Sequence, residues 1–403
     1  MAASGMISAP KVSVLMCVYN GSLYLQEAID SILGQTFGDF EFVIVDDGSE
    51  DQTPTILDRC LDHRIVRVRN DCNAGLTRSL NIGLAFCHGE YVARQDADDI
   101  SLPDRFRQQV SFLEHHMDTA VVGCAYTQVY VDGRPEQIIE MPLDSETIRD
   151  QLWYSHAFCH GSVMMRRASL EDVGGYDERF QTAQDRDLWL RIAERYSLAN
   201  LPSNLYRLRI HDRSVTGSKR LDQRLAAQQA VLGALERCVM RPAPVALGRF
   251  YWRAALDAMA ANDSIGASAY VEKAARANRR INEDCDYLLE TSVNRAFEVS
   301  WISVAGGGSV INANIGLSLL ERLFVLCPTN MHQLRRHCRW AIAELHAAYA
   351  FAAFRRQNNQ AVVRHCLHAW AFSWRHVKNG GLWSIFFSGG VTVLLRSWFN
   401  WTR

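Results

Sequence analysis

Three short polar strings each follow an apolar run: Tyr19-Asn20, Asp46-Asp47-Gly48-Ser49 and Asp96-Ala97-Asp98-Asp99. Asp, Asn, Gly and Ser after a strand are ordinary turn and cap residues when met singly. Three such strings in register are a different matter, because carboxylates gathered in one place repel unless a cation or hydrogen-bond donors sit among them. The chemistry open to such a set is recruitment of a divalent cation together with a polar ligand.

The elements that must position these strings are legible as alternating patterns. Residues 12–19 (VSVLMCVY) read as a buried strand, and 23–36 place apolar residues at 25, 28, 29, 32 and 33, a helical period. A strand at 42–45, a helix near 53–61, a strand at 65–69, a helix at 76–88 and a strand at 91–93 follow. Ser101-Leu102-Pro103 then reads as a helix start, with Ser as cap and Pro at the first helical position. Such alternation predicts an α/β domain whose mostly parallel sheet is covered by helices on both faces. Ligands of open sheets bind beyond the carboxyl ends of the strands, where all three strings fall.

With 403 residues, 48% apolar and 22% charged, the chain can form two to three packed domains. The net charge of −1 hides an asymmetry: residues 1–219 carry 21 Lys and Arg against 32 Asp and Glu, and residues 220–403 carry 22 against 12. An acidic first half argues against a nucleic-acid partner, since phosphate contacts need local positive charge. Eleven scattered cysteines without a CxxC pair predict reduced thiols and a cytoplasmic setting. The opening residues lack the pattern of an export signal.

The expected organisation is therefore an α/β domain over 1–219 and a helical domain over 220–403. Within the latter, 252–282 echoes 348–378 at an offset of 96, each with a helix ending near an Asn/Asp pair (262–263, 358–359). Tetratricopeptide-like helix pairs and an ordinary helical bundle both fit. Ser303–Ser309 (SVAGGGS) reads as a flexible separator of two helical lobes.

Over roughly residues 10–217 the chain resembles the family 2 glycosyltransferases of GT-A fold. The match is carried by KVSVLMCVYNGSLYLQEAIDSILGQTFGDFEFVIVDDGSEDQT, NAGLTRSLNIGLAFCHGEYVARQDADD, HGSVMMRRASLEDVGGYDERF, QDRDLWLRIAERY and LYRLRIHDRSVT, in that order. The resemblance implies an inverting transfer from a nucleotide diphosphate sugar, a UDP-sugar above others, to a glycan or lipid-linked acceptor in surface polysaccharide or glycolipid synthesis. It places Tyr19 and Asp47 at the base, with Asp46 bracing the turn, although either acid could make the contact. Arg78 would lie behind the base or at its edge. Asp96 and Asp98 would share the ribose hydroxyls and a divalent cation, with Asp99 as an alternative ligand and His211 or its neighbours completing the metal or diphosphate surroundings. Mn²⁺ or Mg²⁺ suits these hard oxygen ligands.

The same resemblance makes Asp185 the catalytic base, with Gln184 standing where the family usually carries Glu. Trp189, four residues on, and His160 are its candidates for the acceptor pocket. Asp187 and Arg191 read as a surface ion pair.

Residues 334–403 hold ten Lys and Arg, one acid and six of the ten tryptophans. Two readings fit: a peripheral site on an anionic membrane surface, or an aromatic core with a solvated basic face. Gly380–Leu395 has no charge but is short of a span. A dinucleotide oxidoreductase is excluded, because the turn after the first strand is Tyr19-Asn20-Gly21-Ser22 and not a GxGxxG loop. The competing non-enzymatic reading is a degenerate transferase-like scaffold recruited to a membrane or partner.

Overall fold

The computed structural model describes residues 9–211, 220–278, 280–304, 308–328, 331, 333–334, 337–355, 358–372 and 382. The chain divides into two compact units, Met1–Pro242 and Ala243–Arg403.

The first unit begins with β1 (Val12–Val18), α1 (Leu25–Leu33), β2 (Phe40–Asp46), α2 (Thr53–Arg59), β3 (Ile65–Arg69), α3 (Leu76–Leu84) and β4 (Tyr91–Asp96). It continues through β5 (Ile100–Ser101), α4 (Arg105–His115), β6 (Thr119–Tyr130), β7 (Gln137–Ile139), α5 (Ser145–Leu152), a 3₁₀ turn at His160–Ser162, and β8 (Met164–Arg166). Then come α6 (Arg167–Asp172), α7 (Gln184–Ala193), β9 (Ser197–Ile210) and α8 (Arg220–Arg237). The nine strands form one sheet in the order β3-β2-β1-β4-β8-β6-β9-β5, with β7 paired to β6. The β3-β2-β1-β4 half is parallel; β8 runs antiparallel to both β4 and β6, and β6 pairs parallel with β9.

All seven residues of β1 are buried, as befits a central strand with both faces covered. On α1 the buried side chains are Leu25, Ala28, Ile29 and Ile32, the stripe its spacing dictates. They pack with Val14, Met16, Phe42, Ile44, Phe106 and Leu113 into one core, where full burial of each large side chain contributes roughly 1.5–3 kcal/mol.

Three local expectations are corrected. The third helix stops at Leu84, not 88, because the chain tightens: Ala85, Phe86 and Cys87 donate to the carbonyls of Ile82, Gly83 and Leu84. Strand β4 extends to Asp96 because β1 pairs with it that far. Ser101 caps no helix; with Ile100 it forms β5, pairing with Tyr206 and Arg207 of β9, and α4 starts at Arg105.

Register delivers the three polar strings to one edge. Val18 lies opposite Asp46 and Cys17 opposite Asp96, so β1, β2 and β4 end side by side.

The second unit contains α9 (Pro244–Ala260), α10 (Ser264–Ala277), α11 (Cys285–Val299), α12 (Ala313–Leu326), α13 (Cys338–Arg355) and α14 (Asn359–Phe372). Asn262, at φ +62°, ends one hairpin's first helix, and Asp263 caps the next by accepting from Gly266 N. In the corresponding turn, Asn358 Oδ1 accepts from Ala361 N. On either side of 305–307, β10 (Trp301–Val304) and β11 (Gly308–Ile311) pair antiparallel, so a ribbon interrupts the helices there.

Much of the basic, Trp-rich stretch read as a membrane surface, 373–381 and 383–403, lies outside the described residues. Its described part buries Ala347, Ala350 and Ala353 against Val362, Cys366, Ala369 and Leu382. Among the described residues no helix is long and apolar enough to cross a membrane.

Candidate active site

The loop after β2 is held by backbone donors. Asp46 Oδ1 accepts from Ser49 N at 2.9 Å, and its Oδ2 lies 3.7 Å from Arg69 Nε. Gly48 sits at φ +72°, where a Cβ would meet the Cys72 backbone at 2.6 Å, so the turn needs glycine on both counts. Asp47 is 3% exposed; its Oδ1 accepts from Asn70 Nδ2 and Ala74 N, both at 2.8 Å, and its Oδ2 from Gly75 N at 3.0 Å. Since a carboxylate offers about four lone-pair sites, one on Oδ2 is still open.

Asn20, at φ +51°, ties this loop to the end of β1. Its N–H donates to Ser49 Oγ, and its Oδ1 accepts from Glu50 N and Asp51 N. The adjacent Tyr19 is 46% exposed, which leaves an aromatic surface at the edge.

The loop after β4 is held chiefly by side chains. The buried Arg94 donates from Nη2 to Asp96 Oδ1 at 2.5 Å. Asp98 Oδ2 and His211 Nε2 are 2.9 Å apart, and the His211 ring lies against Tyr24 with centroids 5.2 Å apart. Asp99 is fully engaged inside: Oδ2 accepts from Tyr206 Oη at 2.9 Å and Oδ1 from Arg209 N at 2.8 Å. Burial, with Asp96 next to it, pushes the Asp98 carboxyl up from its ordinary value, while His211 works against that rise. Burial and the charges of Asp98 and Asp96 push Asp99 well up.

These acids fit a divalent cation. Asp96 Oδ2 takes no hydrogen bond among the described residues, and the Asp98 carboxyl sits among like charges that a cation would offset. No group of three or more His, Cys, Asp or Glu among the described residues makes a complete cage. Mg²⁺ and Mn²⁺ sites of the substrate-assisted kind need none, because one or two carboxylates suffice when phosphate oxygens and water supply the rest.

A second flank is built from the 3₁₀ turn and the start of α7. His160 Nε2 and Tyr176 Oη are 2.8 Å apart. Burial and the Arg94 charge bring His160 down to about 4, so its ring is neutral at pH 7. Burial raises Tyr176, the Arg94 charge works against that rise, and the charge of Asp185 adds to it. Asp185 is in the first turn of α7, where the helix dipole favours a carboxylate. Ala183, just before that helix, has φ +58°, an uncommon conformation for alanine. Trp189 is 2% exposed, with its ring against Phe158 at 5.3 Å and His160 at 6.0 Å, so it backs the flank from the core. The Asp187–Arg191 pair forms, at 2.7 Å, but Asp187 is 3% exposed, so the pair is internal and not a surface one.

Arg78 is exposed on α3. That helix is fastened to the segment before α7, because Thr77 Oγ1 donates to Phe180 O and Asn81 Nδ2 to Tyr176 O.

Sequence reasoning missed Arg94, Tyr206, Tyr176 and Asn70. Arg94 left a trace, being a charge inside an otherwise apolar strand two residues before Asp96. Tyr206 left none, since its partner is 107 positions away.

The profile of Glycosyl transferase family 2 matches residues 13–174. The glycosyltransferase-named EpsE of Bacillus subtilis is 38% identical over 210 residues, covering 51% of this chain and 74% of that one. The amylovoran biosynthesis glycosyltransferase AmsE of Erwinia amylovora is 32% identical over 202 residues, covering 49% and 75%. Among solved structures, S. aureus TarS 1-349 superposes with a TM-score of 0.53 at 16% identity, over 81% of this chain and 91% of that one, a likeness of fold. A mostly parallel sheet with its acids at the carboxyl edge agrees with these relatives, and the chain belongs to the family 2 glycosyltransferases.

Proposed function

We propose that the chain transfers a sugar, with inversion, from a nucleoside diphosphate donor to a hydroxyl of a glycan or lipid-linked acceptor during polysaccharide or glycolipid synthesis. The observation that carries the donor half is the pair Asp96 and Asp98 at the carboxyl edge, with Asp96 Oδ2 unengaged among the described residues and Asp98 against His211. Relatives named for glycosyl transfer and for amylovoran biosynthesis support the reaction class and the kind of product.

Tyr19 stacks on the base, and the open lone pair of Asp47 accepts its imide N–H, which favours uracil or thymine. Asp46 holds the turn that presents Asp47. Arg78 lies at the edge of the base. Asp98, Asp96 and His211 are the residues that hold the cation, and Asp99, whose oxygens are occupied, keeps β9 and its His211 in place. When bound, a divalent cation neutralises charge that develops on the departing diphosphate.

Asp185 receives the proton of the acceptor hydroxyl as its oxygen attacks the anomeric carbon from the side opposite the diphosphate. One bond forms as the anomeric C–O bond to phosphate breaks, so a single displacement inverts the centre. The neutral His160, held by Tyr176 and backed by Trp189, offers the acceptor a polar wall that does not compete for the proton.

The test is a thermal-shift series of UDP, GDP, dTDP and CMP, each with and without Mn²⁺, on the wild type and on Asp98→Ala. A Mn²⁺-dependent rise with one nucleotide, absent in the variant, is the expected result. No rise with any nucleotide favours the scaffold reading.

A further inference from the structure

A guanidinium with no exposure sits directly beneath the acid cluster. Arg94 belongs to β4 and precedes Asp96 by two, so both side chains leave the same face of the strand. Burying an arginine is costly unless its donors are matched. Here Nη1 donates to Leu15 O at 3.0 Å and to Gln95 O, and Nη2 donates to Asp96 Oδ1, while Nε is buried with no acceptor among the described residues. The Leu15 carbonyl belongs to β1, which is wholly buried and paired on both sides, so the charge is anchored inside the sheet.

The consequence falls on Asp96, which is 31% exposed where Arg94 is not exposed at all. An ion pair with both ends in water has little orienting power, whereas this one has its cationic end fixed inside. It commits Oδ1 inward. From the other flank the Gly161 backbone comes close, where a Cβ would meet Tyr206 Oη at 2.1 Å and Asp96 Oδ2 at 2.7 Å. A side chain at 161 would therefore crowd both the tyrosine that bonds Asp99 and the second oxygen of Asp96.

We propose that Arg94 is a positioning residue for the cation-binding acid, committing Asp96 Oδ1 inward so that Oδ2 alone is offered to the cation and the donor. This rests on the transferase reading. Lysine keeps the charge but not the two-pronged geometry, so Arg94→Lys separates orientation from charge.

The experiment is titration calorimetry of the full chain with UDP, or with GDP or dTDP if that is the nucleotide that shifts the wild type, at fixed low and saturating Mn²⁺. Arg94→Lys is expected to weaken Mn²⁺-supported binding about tenfold or more, the scale of a lost hydrogen bond to a charged group, and to leave Mn²⁺-free binding unchanged. In an Asp96→Asn background the same substitution is expected to add nothing, since the two residues act as one unit.

Binding of the Arg94→Lys variant indistinguishable from wild type overturns the proposal. So does a weakening that persists undiminished beside Asp96→Asn, because a purely structural role moves both backgrounds alike. If melting curves show that Arg94→Lys does not fold, Gly161→Ala in a Tyr206→Phe background, which removes the hydroxyl a methyl at 161 would strike first, crowds Oδ2 from the opposite side and carries the same expectation relative to Tyr206→Phe alone; unchanged Mn²⁺-supported binding there overturns the proposal. A wild type that binds none of the three nucleotides with Mn²⁺ present overturns the transferase reading and this one with it.

Discussion

The loops after β2 and β4 both end a parallel strand with adjacent acids, yet they neutralise them in different ways. Asp46 and Asp47 take their hydrogen bonds mostly from main-chain N–H groups of Ser49, Ala74 and Gly75. Asp96 and Asp98 lean on the side chains of Arg94 and His211, and Asp96 keeps an oxygen unused. Main-chain donors lock a carboxylate into the shape of the loop. Side-chain donors hold it in place while leaving it reactive toward a cation. Asp185 is the extreme of the second kind, since it takes no hydrogen bond among the described residues.

That division can be broken by substitution. Asp185→Asn removes the proposed base, which takes no hydrogen bond among the described residues, so turnover should fall by roughly 10²–10⁴-fold while the melting temperature and Mn²⁺-supported nucleotide binding stay as in the wild type. A transfer assay beside a thermal melt checks both halves; normal turnover sinks the assignment. Next in size, Asp47→Asn turns an acceptor into a donor facing Ala74 and Gly75 N–H groups, and should cost about 2 kcal/mol in urea unfolding. Asp98→Asn without metal should do the reverse and raise the unfolding midpoint, because it removes one of three crowded like charges. Equal losses at both positions would erase the distinction between the loops.

The smallest effect concerns pH. The folded value of His160, about 4, lies below the ordinary 6.5, so the unfolded chain takes up this proton first as the solution is acidified. Its contribution is fully present above about pH 6.5 and is lost as pH falls toward 4. The raised carboxyls of Asp98 and Asp99 act in the opposite sense, and the informative quantity is therefore a difference. The urea midpoint of His160→Gln relative to wild type should be higher at pH 5 than at pH 7, and no such gain would mean that the ring is not buried as a neutral group.

In the parallel half of the sheet β1 and β2 are readable because each is an apolar run closed by a polar string, while their register comes only from the structure. The acids are readable for the same reason as those strands. What the sequence concealed is long-range pairing. Ser101 looks like a helix cap until β9 comes back to pair with it from over 100 residues away. Tyr206 and Arg209 look like ordinary strand residues until they close on Asp99. Arg94 announces itself only as a charge two residues before Asp96, since nothing local says that Leu15 O and Asp96 Oδ1 will receive its donors. Trp189 was placed correctly on the helix of Asp185, but a four-residue spacing cannot tell which side of that helix faces the core.

Ala183 carries a different kind of information. A left-handed alanine is less favourable than glycine by roughly 1–2 kcal/mol, and here that strain sits two residues before Asp185, the proposed base. Glycine at 183 would relieve it and also slacken the joint from which α7 departs. A library ranked only by heat resistance would therefore drift toward glycine at this position, whereas one ranked by product formed would keep alanine. The divergence of the two selections would mark where this enzyme's fitness for folding and its fitness for chemistry part company.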